Sequence, residues 1–116
     1  MKKLTNEYIV AFDCDGTIIK AVTEATDEEK SKYDRITIKT AWGECEFLVF
    51  QHIVESIKRH HMQGHYVRIW TAGGSNWGET IIKSLNLEEY VDEVGSKCRW
   101  YYDDLPADAW MKRTIP

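Results

Sequence analysis

The sequence lacks any long hydrophobic run: the apolar stretch nearest the N-terminus, Tyr8 to Phe12 (YIVAF), stops at Asp13. A bilayer-spanning helix needs about 20 apolar residues, and a stretch this short behind Lys2 and Lys3 does not make a signal peptide. Neither a membrane partner nor a secretory route is therefore expected. Cysteine is scarce. Cys14, Cys45 and Cys98 show no CxxC spacing, and one is left over if two pair. That excludes a disulfide frame and a zinc cluster, and it suits reduced thiols in a cytoplasmic protein. An excess of positive charge is absent too: 15 Lys and Arg stand against 19 Asp and Glu, a net charge of -4. The chain has no global field for holding polyanions, although a local basic patch stays compatible with this balance. There is no internal repeat and no low-complexity tract.

What is present suits one globular domain over residues 1–116 with a modest core: 43% of the residues are hydrophobic and 29% charged. Tyr8 to Phe12 is rich in strand formers and continuously apolar, as in a strand covered on both faces of a parallel sheet. Thr23 to Asp34 is almost wholly polar, and Arg35 to Trp42 (RITIKTAW) then alternates, so residues 18–45 read as a flap or hairpin over one edge. From Phe47 to Met62 the apolar positions Phe50, Ile53, Val54 and Ile57 recur at helical spacing, and Gly64 provides a stop. Tyr66 to Trp70 (YVRIW) reads as a second strand, parallel to the first because a helix lies between them. After the small-residue turn TAGG, Thr71 to Gly74, Ser75 or Asn76 can cap a second helix with Trp77, Ile81, Ile82 and Leu85 on its apolar side. Val91 to Val94 predicts a short third strand. Trp100 to Tyr102 (WYY) predicts a fourth, ending in Asp103 and Asp104.

Strand one thus ends in Asp13, strand two in Thr71 and strand four in an acidic pair. The carboxyl ends of parallel strands form the ligand crevice of an α/β sheet, so these groups are expected to converge. A site holding Asp13, Asp15, Asp103 and Asp104 needs a positive partner, since two bare carboxylates about 4 Å apart repel by roughly 4 kcal/mol at an effective dielectric near 20. The oxygen-only donor set favours a hard cation, and Mg²⁺ accepts a few carboxylates while keeping water and phosphate as its other ligands. Each aspartate alone could simply end a strand and stay solvated. The combination of DxDGT after an apolar strand with a later strand ending in DD favours chemistry.

The run FDCDGT resembles the DxDGT signature of the haloacid dehalogenase-like (HAD) phosphohydrolases. WTAGGS is similar to their second motif, Lys97 to their third and YYDD to their acidic fourth, in the same order along the chain. The resemblance implies a three-layer, Rossmann-like α/β fold of the small capless type, with a small, mostly parallel sheet and a flap after strand one. It implies that Asp13 is the nucleophile forming an aspartyl-phosphate, and that Asp15 protonates the leaving alcohol and later activates water. Mg²⁺ would be held by Asp13, the Asp15 main-chain carbonyl and Asp103, with Asp104 in an outer or water-mediated position. Gly16 and Thr17, with Ala72 and Gly73 beside Thr71, would cradle and orient the phosphoryl group, and Lys97 would offset its charge. Lys83 is the rival for that lysine role.

The implied partner is a phosphorylated substrate, whether a small molecule, a nucleic-acid end or a phosphoprotein, and a second subunit serving as a lid is compatible with the sequence. The competing class is a phosphoryl-accepting receiver module without sustained turnover. Its acidic pair belongs near the first strand and its lysine near the last, unlike the order here. Asp15 argues against a dehalogenase, and the shortness of the flap argues against a mutase that must exclude water. His60, His61 and His65 read as surface groups at a helix end. Trp42 and Trp77 are candidates for the substrate mouth, and strand alternation turns Cys14 toward the core.

Overall fold

The computed structural model describes residues 8–116. Among these residues six strands and three α-helices follow one another as β1 (Ile9–Phe12), β2 (Ile19–Ala21), α1 (Asp27–Lys32), β3 (Arg35–Thr40), β4 (Gly43–Val49), α2 (Gln51–Met62), β5 (Tyr66–Thr71), α3 (Ser75–Ser84) and β6 (Glu93–Ser96). They form a small mixed α/β domain with two three-stranded sheets. In one, β1, β5 and β6 run parallel in that order, with Ile9 opposite Tyr66 and Thr71 opposite Ser96. In the other, β2, β4 and β3 are antiparallel, with Ile38 opposite Cys45. The parallel sheet with helical crossovers is compatible with a Rossmann-like arrangement.

Burial alternates along β5: Val67, Ile69 and Thr71 are buried, while Tyr66, Arg68 and Trp70 on the other face are half-buried. Ile57 from α2 and Ile81 and Ile82 from α3 join Val67 and Ile69 in a single core. The same core takes Ile38, Phe47 and Val49 from the antiparallel sheet, so the flap is part of the fold's packing. Fully burying side chains of this size stabilises by about 1.5–3 kcal/mol each. Among the described residues only one face of the parallel sheet is fully covered, the other being half-buried along β5.

Several boundaries differ from the sequence reading. β1 is an edge strand among the described residues, and Ile9 is 52% exposed, so this strand is not covered on both faces. The flap extends past residue 45: Phe47, Leu48 and Val49 are buried strand residues, and α2 starts only at Gln51. Their side chains suit either element, and pairing of β4 with both neighbours decides for strand. The polar excursion contains α1, begun by a capping box in which Glu29 N–H donates to Thr26 Oγ1 at 3.1 Å and Thr26 N–H donates to Glu29 Oε1 at 2.9 Å. At α3 neither Ser75 nor Asn76 caps. Gly74 occupies the N-cap at φ +95°, where a side chain would be strained, and Ser75 is already helical. The third strand is shifted to Glu93–Ser96 and is parallel.

The predicted fourth strand does not form. Trp100, Tyr101 and Tyr102 are in irregular chain, with Trp100 76% and Tyr102 98% exposed. Aromatic strand propensity acts through packing on a paired, half-buried surface, and this segment has neither. His60 and His65 are more than surface groups: their Nδ1 atoms lie 2.8 Å apart, His65 stacks on Tyr8, and His60 meets Phe12 edge-on. No described helix is long and apolar enough to cross a membrane.

Candidate active site

Immediately after β1 the chain makes a self-contained loop. The carbonyl of Cys14 accepts the amides of Thr17 at 3.0 Å, Ile18 at 2.8 Å and Ile19 at 3.3 Å. Gly16, at φ +88°, donates its own amide to the Ile19 carbonyl at 2.8 Å. Only glycine takes that backbone conformation without strain. These bonds fix the loop but also occupy the amides of Gly16 and Thr17, which are therefore not free to cradle phosphate as expected. Cys14 is completely buried, in keeping with strand alternation. Burial, and then the negative charges of Asp15 and Asp13, push its thiol up to about 12, which keeps it protonated and inert.

Asp13 and Lys97 are remote in sequence and adjacent in space. The Lys97 ammonium lies 3.3 Å from Asp13 Oδ1, with both side chains roughly a third exposed. Thr17 Oγ1 donates to the other oxygen, Oδ2, at 3.3 Å. The sheet register explains the meeting: Ser96 pairs with Thr71, and the next residue, Lys97, donates its amide to the Thr71 carbonyl at 3.1 Å. Asp13, Thr71 and Lys97 therefore stand at the carboxyl ends of β1, β5 and β6. Thr71 is only 1% exposed, and its hydroxyl accepts the Gly73 amide at 3.1 Å, so it organises the turn after β5. Ala72 and Gly73 are exposed beside it.

Asp15 faces the first turn of α3. The indole Nε1–H of Trp77 donates to Asp15 Oδ2 at 3.1 Å and Oδ1 at 3.3 Å. Partial loss of water raises the pKa of this carboxyl above its ordinary value; the Trp77 hydrogen bond pulls it down, and the charges of Asp13 and Glu24 raise it further. The direction is that of a carboxyl that takes up a proton more readily than a free one. Sequence placed Trp77 near the substrate mouth but carried no signal for its bond to Asp15, a pairing made across 62 residues.

The remaining candidates lie elsewhere. Asp103 and Asp104 are exposed, and Asp103 Oδ1 accepts the Leu105 amide at 3.1 Å in a local turn. No fourth strand forms to carry this pair toward Asp13, and among the described residues no three His, Cys, Asp or Glu side chains gather to hold a metal. The chemistry of Asp13 and Asp15, hard oxygen donors only, still fits Mg²⁺, which commonly binds through one or two carboxylates with water and substrate phosphate. Lys83 is exposed near the end of α3, with no ion pair to Asp13. Compared with protein-family models and with curated proteins, the chain matches none.

Proposed function

We propose that this chain is a phosphomonoester hydrolase of the HAD type, working through an aspartyl-phosphate on Asp13. The observation that carries the reading is the meeting of Asp13 with Lys97 at the carboxyl ends of the parallel strands, two residues before a carboxyl of raised pKa. The order of motifs along the sequence supports it further.

An Asp13 oxygen attacks phosphorus in line, and the bond from phosphorus to the leaving oxygen breaks with its electron pair going to that oxygen. Asp15 supplies the proton that makes the leaving group an alcohol. A water then attacks the acyl phosphate at phosphorus, Asp15 takes its proton, and inorganic phosphate and the Asp13 carboxylate are released. Lys97 keeps a positive charge beside Asp13 as negative charge builds on the phosphoryl oxygens. Thr17 holds the nucleophile's second oxygen in place. Mg²⁺, which the Asp13 carboxylate and the Asp15 main-chain carbonyl would hold, would supply charge neutralisation between nucleophile and phosphate. Removal of the divalent ion with a chelator is expected to abolish turnover, and re-addition of Mg²⁺ to restore it.

The test is hydrolysis of p-nitrophenyl phosphate and of alkyl phosphates by the wild type and Asp13→Asn. Loss of turnover in the variant, by at least about 10³-fold for removal of a nucleophile, is expected. Undiminished turnover refutes the assignment. Stoichiometric phosphorylation of Asp13 with no sustained turnover would favour the receiver-like module instead.

A further inference from the structure

Trp77 belongs to neither the nucleophile nor the phosphate-facing turn, yet three parts of the molecule converge on it. Its indole N–H reaches both oxygens of Asp15, at 3.1 and 3.3 Å, which tethers the carboxyl group at both oxygens to one donor. Its ring packs on Phe47 of β4, with centroids 5.7 Å apart. It also lies over Gly73, where an added Cβ would sit 2.9 Å from Trp77 Cδ1. The absence of a side chain at Gly73 is what makes room for the indole in this pose. A tryptophan serving only as core packing needs none of the polar contact.

We propose that Trp77 is a positioning residue: it holds the Asp15 carboxyl at the angle from which a proton reaches the leaving oxygen, and Phe47 of the flap sheet braces it there. This rests on the phosphatase reading above. In the step concerned, the proton moves from the Asp15 carboxyl to the bridging oxygen as the bond from phosphorus to that oxygen breaks and its electron pair stays on oxygen. An alkoxide is a poor leaving group and depends on that proton. A p-nitrophenolate is stable enough to depart largely without it. Misplacing Asp15 therefore penalises alkyl phosphates selectively, whereas a general loss of structure slows both substrates together.

The experiment compares kcat/KM for a primary alkyl phosphate with that for p-nitrophenyl phosphate, in the wild type and in Trp77→Phe, Phe47→Leu and Asp15→Asn. For Trp77→Phe, the alkyl-to-aryl ratio is expected to fall about tenfold, part of the 10²–10⁴-fold a general acid provides. Asp15→Asn should lower it further, and Phe47→Leu should move it the same way by less. Circular dichroism identifies which variants are folded, and Phe47→Leu carries the test should Trp77→Phe fail to fold. An unchanged ratio in the folded variants, or an equal fall for both substrates, overturns the role of Trp77. A wild type that hydrolyses neither substrate refutes the phosphatase reading itself and this inference with it.

Discussion

Lys97 owes its place to a backbone hydrogen bond and its proposed role to one side-chain contact, and the two can be separated. Lys97→Met keeps the amide that donates to Thr71 but removes the ammonium 3.3 Å from Asp13 Oδ1. Losing a fixed positive group beside the transferring phosphoryl is expected to lower kcat by about 10²–10³-fold, with the far-ultraviolet spectrum unchanged. An unaffected kcat removes Lys97 from the proposed mechanism. At the other end of the sheet, His60 has its pKa lowered by burial, then by His65 and Arg59. Below its ordinary value of 6.5 the unfolded chain takes up a proton that the native state resists. Stability is therefore present above 6.5 and falls as pH drops toward the lowered native value. Thermal melts between about pH 7.5 and about pH 5.5 should show that decline, and His60→Phe should flatten it.

Among the elements, α3 matters most to the site because it carries Trp77 on one turn and packs on β5 and β6 with the next. Close packing is possible because residue 78 has no side chain: a Cβ there would lie 2.7 Å from Val94 Cγ1 and 3.4 Å from Thr71 Cγ2. Alanine would gain helix propensity but would push α3 off β6, so Gly78→Ala is expected to cost about 1–3 kcal/mol in chemical denaturation. A neutral or stabilising result would mean that β6 yields readily. The flap sheet is coupled to the same region, since Phe50 N–H donates to the Ile18 carbonyl at 2.9 Å and Ile19 pairs with Val49. The flap and the loop after β1 consequently share a hydrogen-bonded boundary.

Over the whole molecule, the core ends with β6, and the aromatic C-terminal segment contributes little to it. Its described hydrogen bonds are local, such as the Ala107 amide to the Tyr101 hydroxyl at 2.9 Å and the Leu105 amide to Asp103. A chain ending at Arg99 should therefore melt within about 4 °C of the full chain, which corresponds to less than about 1 kcal/mol for a domain of this size. A much larger drop would mean that Trp100 to Tyr102 pack against the body in solution. The same segment shows where sequence reading reached its limit. Three aromatics before two aspartates carry strand propensity, but propensity becomes a strand only where an edge accepts the pairing.

The sequence by itself determined the parallel pairing of β1 with β5, the buried Cys14 and the glycine turn after Asp13, because strand alternation, crossover length and positive φ are local constraints that residue type expresses directly. It could not determine that Phe47 to Val49 pair as strand, that Trp77 binds Asp15, or that Lys97 rather than Lys83 approaches Asp13. Those outcomes depend on register between segments dozens of residues apart. Tertiary structure decided them because a one-residue shift of β6 against β5 would reverse the facing of its side chains and aim the chain after Ser96 elsewhere.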